Sequence, residues 1–504
     1  MGAKLGSILR YSRHFKLSHL ISIFIFIFAL LAGVVLWKYD FDDSFIIYRI
    51  AENVVNNKGW TFNPGERING STSFLWTALQ IVGSLIIRNA QHFAHMMTPL
   101  ALFFNGMFFW ILFRKLVSNG IAIMTALFFM SFPLLLRSWG LETQLYLTLA
   151  LASIYAECCG RSLMLGLALG GLILTRPDGI LLAIILLLNR LIFKKRTPWL
   201  PTIMIAGLII PWLIFSYTYF GAFFPNTLAA KMAQARSGLW NFSFSWPFSE
   251  FPLFIQGFYY WLRTIYMFDG LYINLAATIS IALFLIAGLF SWRYWGKVGG
   301  IIILWAIIHI IGYSLINVPE YPWYYAPAIL AICFLIGFGL KFLLDKTKST
   351  GKRKIAASII VLFYCSLLSI NIFHIYRQTQ KSALLNRRIA AYLQVGDWIK
   401  KNTSSSIKIA AVEIGGLGYS SKRNIIDMAG LVDAEGPRYI SRRELDWWLR
   451  IHEPDLVLTH IPSWPIERPI EEDMRYELWR VFAYPGCETL QLFRLKSLNI
   501  KCPY

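Results

Sequence analysis

LSHLISIFIFIFALLAGVVLWKYDFDD, residues 17–43, decides the architecture. The apolar run Leu17–Trp37 follows Lys4, Arg10, Arg13 and Lys16, an arrangement shared with secretory signal peptides. It is nevertheless about 20 residues long, the length a membrane-spanning helix needs, and it leads into WKYDFDD, not a small-residue cleavage site. The run is therefore expected to be a retained transmembrane helix with its N-terminus inside, which places Asp40, Asp42 and Asp43 just outside.

Composition extends that reading to most of the chain. Of 504 residues 57% are hydrophobic and only 15% charged, against about 25% charged in ordinary soluble domains. A disordered chain and a purely water-soluble enzyme are both excluded. The formal charge of +21 raises the question of a nucleic-acid partner, and its distribution answers it. Residues 376–504 carry 19 basic and 15 acidic side chains, whereas residues 1–375 carry 29 and 12. The excess sits in short clusters between apolar runs, as in cytoplasmic membrane loops, so no nucleic acid is expected.

Further spans are expected at 94–113, 120–137, 142–157, 162–176, 179–193, 199–219, 272–292, 299–317, 321–343 and 355–375, giving about eleven helices. The short stretch 73–88, interrupted by Thr77, Gln80 and Ser84, is read as an interfacial helix. Counting it as a span would scatter Arg114-Lys115, Lys194-Lys195-Arg196 and Lys352-Arg353-Lys354 over both faces. With this topology the inner segments of 1–375 hold 19 basic residues and two acids, Glu157 and Asp345, and the outer segments hold 10 of each sign. The tail then lies outside. Residues 377–504 have ordinary charge density and short apolar runs such as KIAAVEI, DLVLTH and TLQLFRL, the pattern of a small α/β domain. The expected organisation is a membrane unit, 1–376, with a first outer loop over 38–93, followed by an extracytoplasmic α/β domain, 377–504.

Polar groups gather where helices reach the outer face. Asp40, Asp42 and Asp43 crowd together, which suits either a general base with a raised pKa or a helix N-terminus whose dipole the acids complement. Arg49 and Glu66 follow in the same loop, and Glu142 stands in WGLETQLY. Arg176 and Asp178 flank Pro177 at a tight break, where they either pair with each other or face a ligand. Pro225-Asn226-Thr227 precedes Lys231, and Glu320 opens an aromatic run containing Tyr324. Aromatic rings beside carboxylates suit sugars, although they also anchor helices at the membrane surface. His92 and His95 have ligand-like spacing but no third partner nearby. Gly416-Leu417-Gly418-Tyr419-Ser420-Ser421 is a degenerate dinucleotide fingerprint lacking its third glycine and a following acid. Cys487 and Cys502 flank the expected last strand and would pair only in an oxidising compartment.

DDSFIIYRIAENVVNNKGWTFNPGERINGSTSFLW, GLETQLY, TRPDG, PNTLAAKMA and GGLGYSSKRNIIDMAGLVD resemble, in this order, segments of integral-membrane glycosyltransferases of the GT-C superfamily. The likeness runs from about residue 38 to 433 and is strongest to the mycobacterial terminal arabinofuranosyltransferases and their Gram-negative relatives. The resemblance implies a mainly α, polytopic GT-C fold in the bacterial inner membrane. It also implies transfer of a sugar, arabinofuranose among the possibilities, from a polyprenyl-phosphate donor to an extracytoplasmic glycan, lipid or protein acceptor. The base it implies in the first outer loop falls on Asp42 or Asp43, and its second acidic position falls on Glu142. Asp40, Arg49, Glu66, Glu142, Arg176, Asp178, Asn226, Lys231 and Tyr324 are then the expected substrate-binding residues. GT-C oligosaccharyltransferases commonly carry Asp-x-Asp in the second outer loop and bind a divalent cation there. This chain offers only Glu142, so no obligatory metal or other cofactor is expected. A transporter or flippase of lipid-linked sugars, the competing reading, would place polar groups near the bilayer midplane in interrupted helices. Here they cluster at outer helix ends.

Overall fold

The computed structural model describes residues 2–239, 251–266, 271–317, 321–347, 350–380, 384–485 and 487–498. The membrane unit begins with α1 (Gly2–Val35), α2 (Asp42–Val55), α3 (Phe74–Ile87), α4 (Ala90–Phe113), α5 (Asn119–Met130) and the single turn α6 (Pro133–Leu136). It continues with α7 (Thr143–Cys158), α8 (Ser162–Thr175), α9 (Ile180–Leu188), α10 (Trp199–Phe220) and α11 (Asn226–Ser237). α12 (Leu253–Tyr266), α13 (Leu271–Phe290), α14 (Gly296–Ile316), α15 (Ala326–Lys346) and α16 (Thr350–Thr379) complete it.

Each expected span coincides with helical chain, but several are shorter than the apolar run suggests. Among the described residues five helical segments are long and apolar enough to cross a membrane: Leu17–Val35, Ala90–Phe113, Trp199–Phe220, Gly296–Ile316 and Pro322–Lys346. Helix length thus supports five crossings directly where the hydropathy pattern gives about eleven. Two of the differences have local causes. The run 120–137 breaks at Ser131-Phe132, ahead of Pro133, and 179–193 is nine residues of α-helix followed by a π-helical turn, Asn189–Phe193. α8 stops because Arg176 precedes Pro177 and takes the extended backbone that position favours, φ −152° and ψ 130°. α3, with Val82, Leu85 and Ile86 exposed, carries the apolar outer face that an interfacial helix needs.

The membrane core is aromatic. Phe109 and Phe113 of α4 pack on Phe334 of α15, ring centroids 4.6 Å apart in both pairs. Without strong apolar driving force between helices in lipid, close backbone approach matters. α13 and α15 achieve it at Gly288 and Gly339, where an added Cβ would lie 2.2 Å from a carbonyl oxygen of the facing helix.

After α16, α17 (Leu384–Asn402) leads into a five-stranded sheet of order β2-β1-β3-β5-β4. Its strands are β1 (Lys408–Ala411), β2 (Asn424–Asp427), β3 (Leu456–Ile461), β4 (Tyr476–Phe482) and β5 (Thr489–Leu495). β1 pairs in parallel with β2 and β3, whereas β5 is antiparallel to β3 and β4. Between β1 and β2 lies α18 (Gly415–Ser421), packed against α2. Ile46 and Ile50 of α2 and Phe62 of the first loop share one core with Val395, Leu417 and Ile425. The C-terminal domain therefore sits on α2 and the loop after it as part of the same fold.

Candidate active site

A cavity of about 370 Å³ opens where helix ends of the membrane unit meet the C-terminal domain. Six of the residues singled out from the sequence line it: Asp43, Glu142, Arg176, Asp178, Lys231 and Tyr324. They come from five segments of the chain, Arg176 and Asp178 sharing one. The rest of the wall is largely apolar, including Ile46, Leu141, Leu181, Leu228 and, from the C-terminal domain, Leu431.

Arg176 is buried and anchored. Its guanidinium donates to the Trp323 carbonyl at 2.8 Å, to Asp178 at 2.7 Å and to the Tyr313 hydroxyl at 3.1 Å. Tyr313 in turn donates to Asp178 at 2.8 Å. His309, one turn before Tyr313, has Nε2 2.8 Å from the Tyr324 carbonyl oxygen. A carbonyl only accepts, so Nε2 carries the hydrogen. Of the two alternatives for the Arg-Pro-Asp break, pairing is what the structure shows, and the pair still faces the cavity.

Lys231 is the other cation, and its surroundings differ. Its Nζ lies 4.0 Å from the centroid of Tyr321, 5.3 Å from Tyr324 and 5.6 Å from Trp323. Among the described residues no carboxylate comes within salt-bridge distance of it. Burial by itself would lower its pKa, but Tyr324, Tyr321 and Asp43 outweigh it and the net shift is upward. The ammonium is therefore fixed.

The acids separate into free and committed groups. Asp43 is half-buried and has no hydrogen-bond partner among the described residues. Burial, reinforced by Glu413 and opposed by Lys231, holds its carboxyl above the usual range. Glu142, at the start of α7, is 6% exposed, and among the described residues its carboxylate accepts no hydrogen bond from another residue. Asp42 instead accepts from the N–H groups of Gly415 and Gly416 at 2.9 and 2.8 Å. Burial and Glu413 still push its pKa to about 7 against those two donors.

The remaining residues expected to touch substrate are occupied with the fold. Asp40 accepts from the Tyr48 hydroxyl at 2.9 Å and Gln91 at 2.6 Å, and lies 2.9 Å from His95 Nε2. That contact accounts for His95, and among the described residues no group of three His, Cys, Asp or Glu side chains is placed to hold a metal. Arg49 donates to the Arg423 carbonyl at 2.6 Å and stacks on Phe62 at 4.2 Å. Glu66 accepts from Asn63 at 3.0 Å. Asn226 donates to the carbonyls of Gly430, Leu431 and Asp433 at 2.9, 3.2 and 2.7 Å. Structure thus places Asp40, Asp42, Arg49, Glu66 and Asn226 outside the cavity wall.

Trp323, from the aromatic run that Glu320 opens, lines the cavity too; Tyr313 lines it and His309 supports it, though the sequence reading did not single out these last two. The available signal was His309 and Tyr313 four residues apart on one face of an otherwise apolar helix. In the degenerate fingerprint Gly418 has a packing purpose: a Cβ there would meet the Arg49 guanidinium at 2.4 Å and the Phe62 ring at 2.7 Å. Among the described residues Cys487 has no disulfide partner, and Cys502, the other half of the expected pair, lies outside them.

A sequence family described as a domain of unknown function (DUF8728) matches residues 375–495. No curated protein matches the sequence. Among solved structures, ArnT from Cupriavidus metallidurans bound to undecaprenyl phosphate superposes with a TM-score of 0.52 at 15% identity, over 93% of this chain and 97% of ArnT. The same protein in the apo state gives 0.53 at 14% identity, over 92% and 97%. The arabinofuranosyltransferase AftD from Mycobacteria gives 0.54 at 11% identity over 94% of this chain, which spans 40% of AftD. Near-complete overlap with ArnT, together with a helical unit capped by a small sheet, shows that the chain has the GT-C fold.

Proposed function

We propose that the protein is an inner-membrane glycosyltransferase that takes a sugar from a polyprenyl-phosphate donor and places it on an extracytoplasmic glycan, lipid or protein. The observation that carries the reading is Asp43, a cavity carboxylate that the protein leaves without a hydrogen-bond partner, held above its usual pKa near a caged Lys231. A group placed so serves as a general base. The overlap with a protein bound to undecaprenyl phosphate supports the donor class.

The reaction follows from those roles. Asp43 accepts the proton of the acceptor hydroxyl as its oxygen attacks the anomeric carbon. The bond from that carbon to the phosphate oxygen breaks on the opposite face, inverting the centre, and the electron pair leaves with the phosphate. Lys231, with no carboxylate to neutralise it, meets the charge developing there. Arg176 keeps N–H donors beyond its three bonds and adds a directional contact. Glu142 accepts from hydroxyls of the sugar. The apolar wall takes the first isoprene units.

Purified protein offered a panel of polyprenyl-phosphate sugars, arabinofuranose included, tests this directly. One donor should support transfer, and Lys231→Ala should raise the KM for it or lower kcat with little change in acceptor KM. No transfer from any member of the panel, with the folded protein in a bilayer, would overturn the reading.

A further inference from the structure

A second cavity, of about 450 Å³, shares no lining residue with the first. It is lined by the ends of α1 and α16, by α17 and by the turn between β4 and β5, with Lys38, Tyr39, Arg387, Gln394 and Tyr484 as its polar residues. α1 and α16 enter it with their C-terminal ends, through Val35 and Thr379. The apolar segment Leu17–Val35 stops at its edge. At 1.5 Å per residue, Lys38 and Tyr39 stand roughly 5–6 Å beyond the hydrocarbon boundary, which is the depth of lipid headgroups.

The lining has a definite charge. It holds two cations and no Asp or Glu. Arg387 spends one N–H on the Pro485 carbonyl at 2.8 Å, and among the described residues neither it nor Lys38 has a carboxylate partner. Tyr39 is 1% exposed; its hydroxyl is closed off from the cavity, and the charges that act on it are Arg137 and Asp40, not the two cations of the lining. Below the cavity, both helices present side chains that suit acyl chains: Leu31 and Val34 on α1, and Ile372, Phe373 and Tyr376 on α16, are exposed.

We propose that this cavity is a binding site for the phosphodiester headgroup of a membrane glycerophospholipid, distinct from the donor site. Lys38 and Arg387 contact the phosphate, and the acyl chains lie along the exposed faces of α1 and α16. The anionic class is favoured because two cations face no acid. A lipid seated there bridges the membrane unit and the C-terminal domain, since the wall draws on both.

Native mass spectrometry of the full-length protein, delipidated in detergent and titrated with phosphatidylglycerol, tests the proposal. Phosphatidylglycerol should bind, and Lys38→Ala combined with Arg387→Ala should weaken it roughly thirtyfold, about fivefold for each cation. Lys38→Ala and Arg387→Ala alone should each weaken it about fivefold and serve if the double variant does not fold. Equal phosphatidylglycerol affinity in the wild type and in all folded variants would overturn the proposal. So would undecaprenyl phosphate displacing phosphatidylglycerol from this site, since the cavity would then belong to the donor path. Glycerophosphate binding as tightly as the lipid would show a free-phosphate site instead. If the cations serve only the helix C-termini, the double variant will lose thermal stability with lipid affinity unchanged, again against the proposal. None of these outcomes depends on glycosyl transfer.

Discussion

Asp43 and Asp42 are adjacent on the first turn of α2, yet only the Asp42 carboxylate is held by the protein, on the Gly415 and Gly416 N–H groups. Two different losses follow. Asp43→Asn removes the base and should lower turnover by about 10²- to 10⁴-fold with the unfolding temperature unchanged. Asp42→Ala leaves two N–H groups unpaired at the seam between α2 and α18 and should cost roughly 1–3 kcal/mol, read as a lower unfolding midpoint. The pH profile separates them further. Burial first and Glu413 second raise the Asp43 pKa. The ionised base forms only as pH rises through that raised value, so transfer should fall on the acid side at a pH above the ordinary carboxylate range of about 4. Glu413→Gln removes a like charge and should move that limb to lower pH. A limb that stays in place in Glu413→Gln, or persists in the residual activity of Asp43→Asn, would assign the titration to another group.

α11 joins the two halves of the site. Lys231 on this helix faces the cavity, while Asn226 and Gln234 bond the carbonyls of residues 429–433 in the loop that brings Leu431 to the cavity wall. Replacing Asn226 with Ala should free that loop without touching either carboxylate. Hydrogen exchange at residues 428–433 should quicken, and the KM for donor should rise more than kcat falls. Unchanged exchange there would deny α11 its bridging role. The helix Asn226–Ser237 was not among those expected, although the Pro225-Asn226-Thr227 turn and Lys231 were legible in the sequence. The role of Asn226 was not, since its acceptors lie about 200 residues away in the chain. The same distance hid the division between Asp42 and Asp43, which is decided by Gly415 and Gly416. His309 and Tyr313 were overlooked for a different reason: in a span as apolar as α14, hydropathy averages away two polar side chains whose importance lies in sharing one face. The outer acids, the Arg176-Pro177 break and the small C-terminal sheet needed no long-range information, and the sequence pattern reached them.

At the scale of the whole molecule, function depends on which side of the membrane the cavity faces, and α16 decides it. This helix runs from Thr350 to Thr379, 30 residues, or about 45 Å at 1.5 Å per residue, enough to cross a hydrocarbon core of about 30 Å. Lys352 stands at its start beside Arg353 and Lys354, a cluster the positive-inside rule assigns to the cytoplasm. Ser404 lies beyond its end, past α17, in the C-terminal domain that shares a core with α2. If α16 crosses, the domain and the cavity it roofs are outside, where lipid-linked sugars are consumed and nucleotide sugars are absent. Cysteine placed at Lys352 and at Ser404 should then react with a membrane-impermeant reagent from opposite faces of intact cells. The exposed native thiols Cys158, Cys159 and Cys365 have to be replaced first, because they would label independently. Labelling of both positions from one side would mean that α16 lies along the surface, and the site would have to draw its substrates from the compartment that holds the basic loops.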